Sequence, residues 1–331
     1  MSEQTKLCVA GASGLVGSSI VRAALERGYL VNGTLRNKNL PSKSTYLKQL
    51  AGGERLTLFD AEMADGASFE APLRGVDAVF IACLIPTYKG SSGMLAVEMD
   101  VERGYAEIIK PTVDGCLNIL RSAQRNGVRN VVICSSTSST NPSTPVPFKN
   151  EAEHWSDENE QCRVKKYTSA TKTIMEKAAR KFAEENDIRL SIILPTGLYG
   201  EAVLPEHMRH NPFAWLARAI DGGNPHHEKM PNSSVSMIHL RDLANLFLAA
   251  YENHNASGRY FGVWGSLHWK DIYAECQKIL PNMRMPDPIA EPAVVPTGFD
   301  FSRRDSLGVN IRDFPTFLRQ TIEWIQSKPF Q

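Results

Sequence analysis

Three glycines near the start of the chain are spaced for phosphate chemistry. Gly11, Gly14 and Gly17 stand three apart in KLCVAGASGLVGSSIVRAALERGY. Glycine permits a tight turn, lets a phosphate approach the main chain and lets a helix pack close to a strand. The N–H groups of such a turn, and of the helix start behind it, bind a pyrophosphate. With Ser13, Leu15 and Val16 between them, these glycines are the expected cradle of a dinucleotide. Arg36 is the second such residue. At the end of a second strand an acid would bond a ribose 2′-hydroxyl, whereas a guanidinium offers a bidentate fork to a 2′-phosphate. Arg36 therefore favours NADP(H) over NAD(H), against the plainer reading of an ordinary surface arginine. Metal chemistry is not expected. His207 and His210, and the adjacent His226 and His227, have no acidic or cysteine partner at ligand spacing and read as surface or pocket-lining residues.

The elements that must position these groups follow from periodicity. Leu7 and Val9 mark a buried strand, and Ile20, Val21, Ala24 and Leu25 recur at helical spacing behind the glycines. YLVNGTL (29–35) reads as a second strand, STYLKQLA as a helix and LTLFDAE as a third strand, with Glu62 and Met63 at its end beside the adenine. GVDAVFIAC (75–83) is a fourth strand that brings Ala82 and Cys83 to the cofactor. EIIKPTVDGCLNILRSAQRNG is an amphipathic helix with Pro111 at a kink or in its first turn. VRNVVICSST is strand five, 165–187 a long helix, and LSIILPTGLYG strand six, ending at Pro195 and Thr196. This alternation predicts an α/β protein with a doubly wound parallel sheet of Rossmann type. The nucleotide-binding domain is expected over 1–200 with a return segment at 235–255. Residues 201–234 and 256–331, including the short strand GRYFGV, form a smaller substrate-binding portion. Tyr88, Tyr199, Phe213 and Trp215 are candidates for an aromatic pocket wall, though aromatics are more often core.

Composition narrows the function further. The 331 residues carry 37 basic and 36 acidic side chains, a net charge of +1, with no long run of one sign. Nucleic acid and membrane partners are not expected. The polar start MSEQTK and the short apolar strand behind it suit a cytoplasmic protein. Cys8, Cys83, Cys116, Cys134, Cys162 and Cys276 lack CxxC spacing and read as reduced, buried thiols.

The turn Gly11–Gly17, the serine run after strand five, a Tyr and a Lys on the next helix, and the phrase IIKPTVDG resemble the extended short-chain dehydrogenase/reductases. Within them the chain is most similar to the dihydroflavonol 4-reductase group, which includes anthocyanidin and cinnamoyl-CoA reductases. LTLFDAEMAD, ILPTGLYG, MIHLRDLA and FSRRDSLGV extend the likeness over nearly the full length. The resemblance implies that a tyrosine protonates a carbonyl oxygen as hydride arrives from nicotinamide C4. It implies a lysine that lowers the tyrosine pKa and holds the ribose hydroxyls, and a serine that bonds the same oxygen. It also implies that Pro195 and Thr196 flank the nicotinamide. Donors aimed at the developing oxyanion are the physical requirement.

On that likeness Ser136 is the serine, with Ser135 and Ser138 as alternatives, and KTIMEKAA fixes Lys172 as the lysine. The tyrosine does not fit cleanly. Tyr167 stands five residues before Lys172, where the family spacing is four and Thr168 occupies that position. Positions five apart on a regular helix diverge by roughly 140°. An irregular first turn or a π-bulge would restore Tyr167 to the site. Otherwise a water or Thr168 substitutes weakly, or the site is redox-inactive. Pairing Tyr167 with Thr171 would lose the cation. The expectation is an NADPH-dependent reductase of a ketone or aldehyde on a bulky, aromatic or cyclic molecule, with Ser136, Tyr167 and Lys172 catalytic, as monomer or homodimer. The alternatives are a hydroxysteroid-type alcohol dehydrogenase and a cofactor-binding sensor without turnover.

Overall fold

The computed structural model describes residues 4–331. The first strand, β1 (Lys6–Ala10), is buried along its apolar run, and Gly11 turns the chain into α1 (Leu15–Glu26). Strands β2 (Leu30–Leu35), β3 (Leu56–Asp60), β4 (Ala78–Ile81) and β5 (Asn130–Cys134) follow, with helices between them. The sheet is completed by Arg189–Pro195 and Gly258–Gly262. Its order from one edge is Gly258–Gly262, Arg189–Pro195, β5, β4, β1, β2, β3, and every neighbouring pair is parallel. The doubly wound parallel sheet is present, and its winding reverses between β1 and β4, where such folds bind ligands.

Two expectations about the smaller portion change. The segment GRYFGV is the edge strand of the main sheet, with Tyr260 opposite Ile193 and Phe261 opposite Leu194. Tyr260 packs into the core on one face of the sheet and Phe261 into the core on the other. A strand apolar on both sides is fully covered only in a sheet flanked by helices on both faces. Tyr199, Phe213 and Trp215 are buried core residues of the smaller unit, packed with Tyr273, Phe314 and Phe317, rather than pocket walls. That unit holds a three-stranded sheet of Leu198–Tyr199, Ser234–His239 and Gly265–His268. The helix Leu240–Glu252 leaves it and packs with α1 against the main sheet.

On the opposite face lie the helices Lys110–Arg125 and Tyr167–Glu185. The first is preceded by a wide π turn over Tyr105–Ile109, so Pro111 falls in the first turn of the regular part, where its missing N–H leaves no bond unmade. Among the described residues no helix is long and apolar enough to cross a membrane.

A buried ion pair fixes the end of β5. Arg259 and Glu176 are 3% and 0% exposed, with Nε 2.9 Å from Oε2. The remaining N–H groups of Arg259 donate to the carbonyls of Glu151 and His154 at 2.9 Å and to the carbonyl and hydroxyl of Ser139. Its guanidinium lies 3.7 Å from the centre of the Trp155 ring. The second oxygen of Glu176 accepts from the Ser135 hydroxyl. The terminal nitrogens of the guanidinium find acceptors and Nε faces the Glu176 carboxylate, which is what makes burying it tolerable. Arg259→Met should lower unfolding stability by about 3–5 kcal/mol because it strands the buried Glu176 carboxylate. In urea titrations the double variant Arg259→Met/Glu176→Leu should be more stable than Arg259→Met alone. A single variant within 1 kcal/mol of the parent would contradict this (~1 kcal/mol being the scale of one ordinary hydrogen bond).

Candidate active site

The parallel sheet delivers the predicted residues to one edge, because every strand ends on the same side. Gly11 follows β1, Arg36 follows β2, Glu62 and Met63 follow β3, Ala82 and Cys83 follow β4, Ser135 and Ser136 follow β5, and Thr196 follows Pro195. Gly11 takes φ +85°, and its N–H donates to the Thr34 hydroxyl at 3.1 Å. A Cβ on Gly17 would lie 2.1 Å from the Gly11 carbonyl oxygen, so only glycine fits where α1 meets the turn. No side chain caps α1. Its first N–H groups are therefore the free donors that every helix leaves at its start. A dinucleotide pyrophosphate fits this cradle on both counts. Arg36 is exposed and makes no ion pair among the described residues, which suits it to an incoming anion.

The turn has a support that the sequence did not reveal. His207 is buried, its Nδ1 accepts from the Leu204 N–H, and its Nε2 lies 3.0 Å from the Ser13 carbonyl oxygen. That pairing requires the proton on Nε2, and burial lowers the imidazole pKa and keeps it neutral. The spacing of His207 to His210 gave no hint of this. Neighbouring groups pack the same edge. Cys83 lies against Gly11, and burial pushes its thiol up to about 12. Met63 packs on Gly115, while the Glu62 side chain is exposed.

Behind β5 most hydroxyls are committed to structure. Ser135 bonds Glu176, Ser139 donates to the Ser136 carbonyl, and Thr140 donates to the Thr137 carbonyl. Ser136 differs. Its Oγ accepts from the Ser138 N–H at 3.2 Å, which leaves its own proton to donate elsewhere.

The helix Tyr167–Glu185 carries the rest. Lys172 is 4% exposed, and its ammonium donates to the Leu84 carbonyl. Burial lowers its pKa below the usual lysine value. The irregular first turn expected from the Tyr–Lys spacing is absent, since the helix is regular from Tyr167 onward. The π distortion lies instead in the facing segment Tyr105–Ile109. Tyr167 takes the direction that a regular helix dictates. It is 0% exposed, its hydroxyl donates to the Met99 carbonyl at 3.2 Å, and it packs with Ala96, Met99, Ile108 and Ala170. Gly104 makes room for its ring: a Cβ there would lie 2.4–2.5 Å from three ring atoms. One turn before Lys172 stands Thr168, whose hydroxyl donates to the Thr87 carbonyl at 2.5 Å. Thr168, Lys172, Thr171 and Thr112 line a small pocket closed by the segment Ile85–Thr87. The Tyr167 hydroxyl points to Met99, and Tyr167 is not among the residues that line this pocket, although Ile108 borders both.

The description "NAD dependent epimerase/dehydratase family" matches residues 7–262. The chain is similar to the cinnamoyl-CoA reductase CAD2 of Medicago truncatula, 30% identical over 333 residues that cover 98% of this chain and 96% of that one. It is similar also to a bifunctional dihydroflavonol 4-reductase/flavanone 4-reductase of Malus domestica, 34% identical over 267 residues, covering 78% and 72%. Among solved structures, yeast methylglyoxal/isovaleraldehyde reductase Gre2 complexed with NADPH shares the fold, with a TM-score of 0.77 over 98% of both chains at 21% identity. On a match that spans most of the chain, together with relatives this similar, the protein belongs to the NAD dependent epimerase/dehydratase family, the extended short-chain dehydrogenase/reductases.

Proposed function

We propose that the chain is an NADPH-dependent reductase of a ketone or aldehyde carbonyl on a bulky, aromatic or cyclic small molecule. One observation carries the reading: the uncapped start of α1, unpaired Arg36, Ser136 with a free proton and buried Lys172 share the same sheet edge. When bound, the nicotinamide cofactor supplies the hydride. The chain's own groups do the rest. The N–H groups behind Gly11, Ser13, Gly14, Leu15, Val16 and Gly17 hold the pyrophosphate, and Arg36 pairs with the 2′-phosphate. Glu62, Met63, Ala82 and Cys83 border the adenine and the ribose, and Pro195 and Thr196 border the nicotinamide. Lys172 keeps two of its three donors after bonding Leu84, one of which suffices to hold the ribose through a hydroxyl. Ser136 donates to the carbonyl oxygen as negative charge grows there. Tyr167, turned to Met99, supports the fold in this reading and takes no part in proton transfer.

The relatives' names support the substrate class. They act on cinnamoyl-CoA and on dihydroflavonols, both bulky and aromatic. A second reading, a cofactor-binding sensor without turnover, draws on Thr168 standing at the position where the family keeps its phenol.

The discriminating experiment incubates the purified protein with NADPH and a panel holding a cinnamoyl thioester, a dihydroflavonol and aromatic aldehydes and ketones. Oxidation of NADPH with stoichiometric alcohol or aldehyde product is the expected result. Tight NADPH binding with no turnover on any member would leave only the sensor. Two variants test the roles. Tyr167→Phe should keep kcat within about two-fold and lose about 1 kcal/mol of stability, the worth of one hydrogen bond. Arg36→Ala should raise the KM for NADPH by about ten- to a hundred-fold and leave the KM for NADH nearly unchanged. An equal effect on both cofactors would show that Arg36 does not read the 2′-phosphate.

A further inference from the structure

Resting on the reductase reading, we propose that the general acid of this site is the Lys172 ammonium, working through the Thr168 hydroxyl. A phenol is the usual kind of group to protonate an oxyanion, and Tyr167, the phenol this helix carries, is held elsewhere, while Tyr88, next to the segment Ile85–Thr87, is exposed to solvent. Tyr167 is fixed by the Met99 carbonyl and by the contact of its ring with Gly104. Bringing it round would unwind the first turn of a regular helix and expose the cluster of Ala96, Met99, Ile108 and Ala170.

The Thr171 and Thr112 hydroxyls donate to main-chain carbonyls four residues back, at Tyr167 and Ile108, and Ser136, Thr168 and Lys172 are left as the candidates with protons to pass on. Alcohols are far weaker acids than phenols, so the two hydroxyls can pass a proton on but cannot be its net source. Lys172 can. Its ammonium is buried with one bond, to the Leu84 carbonyl. Thr168 sits one turn before it, on the same face of the helix. Both side chains line one pocket, against the segment Leu84–Thr87 that accepts a bond from each. The charged and titratable groups around Lys172 are few. Glu176, one turn further on, is engaged by Arg259 and Ser135. Cys83, Cys116 and Cys134 face it from the end of β4, the helix Lys110–Arg125 and β5, and burial keeps all three as neutral thiols. No free carboxylate stabilises the ammonium, so burial makes it a stronger acid than lysine in water.

The step balances. Hydride adds to the carbonyl carbon and leaves NADP+, and the C=O π pair moves onto oxygen. The oxygen takes the proton of Thr168 Oγ1, which swings from Thr87 and takes a proton from Lys172 Nζ. Lys172 is left neutral and is reprotonated from water.

The test measures kcat, the KM for NADPH and the pH profile with a carbonyl that the parent reduces. Thr168→Val should lower kcat by about a hundred-fold, the usual worth of a positioned proton donor. Its KM for NADPH should stay within about two-fold, which shows an intact cofactor site. Thr168→Ser should restore most of kcat, and Tyr167→Phe should keep both kcat and the pH profile. NADPH titration followed by protein fluorescence confirms that each variant is folded. A Thr168→Val enzyme with parental kcat, or a Tyr167→Phe enzyme that binds NADPH but loses a hundred-fold in kcat, overturns the proposal and leaves the reductase reading standing. No reduction by the parent on any carbonyl overturns both.

Discussion

A side chain on a regular helix has one direction to face, and the site depends on that constraint. The helix that carries Lys172 is regular from Tyr167 onward, so residues five apart point to different faces. Lys172 faces the sheet edge and Tyr167 faces the π turn. The interaction that holds this choice is the fit of the Tyr167 ring on Gly104, closed by the bond to Met99. Thr168 thereby comes into register with Lys172. In the proposed mechanism an alcohol and a buried ammonium therefore stand in place of a phenol and an ammonium.

A second constraint secures the other side of the site. Burying Arg259 beside Glu176 is tolerable because the carboxylate faces the guanidinium and its terminal N–H groups find acceptors in the main chain and a hydroxyl behind β5. Ser135 and Ser139 are consumed in that network, whereas Ser136 keeps its proton while its lone pair caps the short turn that follows. The ion pair therefore removes Ser135 and Ser139 from the serines available to a substrate. His207 plays a similar part at the glycine turn by gripping the Ser13 carbonyl.

The parts of the fold that were legible in the sequence are those with local causes. Glycines three apart need only a strand and a helix around them, and strands that all run one way must end on one edge. So the sequence alone puts Gly11, Arg36, Ala82, Ser136 and Thr196 on one edge. GRYFGV was misplaced although its sequence carried the signal: Tyr260 and Phe261 are adjacent and both apolar, the mark of a strand covered on two faces. The five-residue spacing of Tyr167 from Lys172 signalled that they diverge on a regular helix, but not that the helix stays regular. The direction of Tyr167 is set by a small residue, Gly104, far away in the chain, and by a distortion placed in the facing segment rather than in its own helix. Tyr199, Phe213 and Trp215 show the same limit, since composition does not separate a pocket wall from the core of the smaller unit.

The measurement that bears most directly on this account is a crystal structure of the protein with NADP+ bound. The account predicts the nicotinamide ribose against Lys172, the Thr168 hydroxyl as the donor nearest nicotinamide C4, and the Tyr167 ring still seated on Gly104. A phenol swung out of that seat, with its oxygen beside C4 and the first turn of the helix unwound, would contradict it.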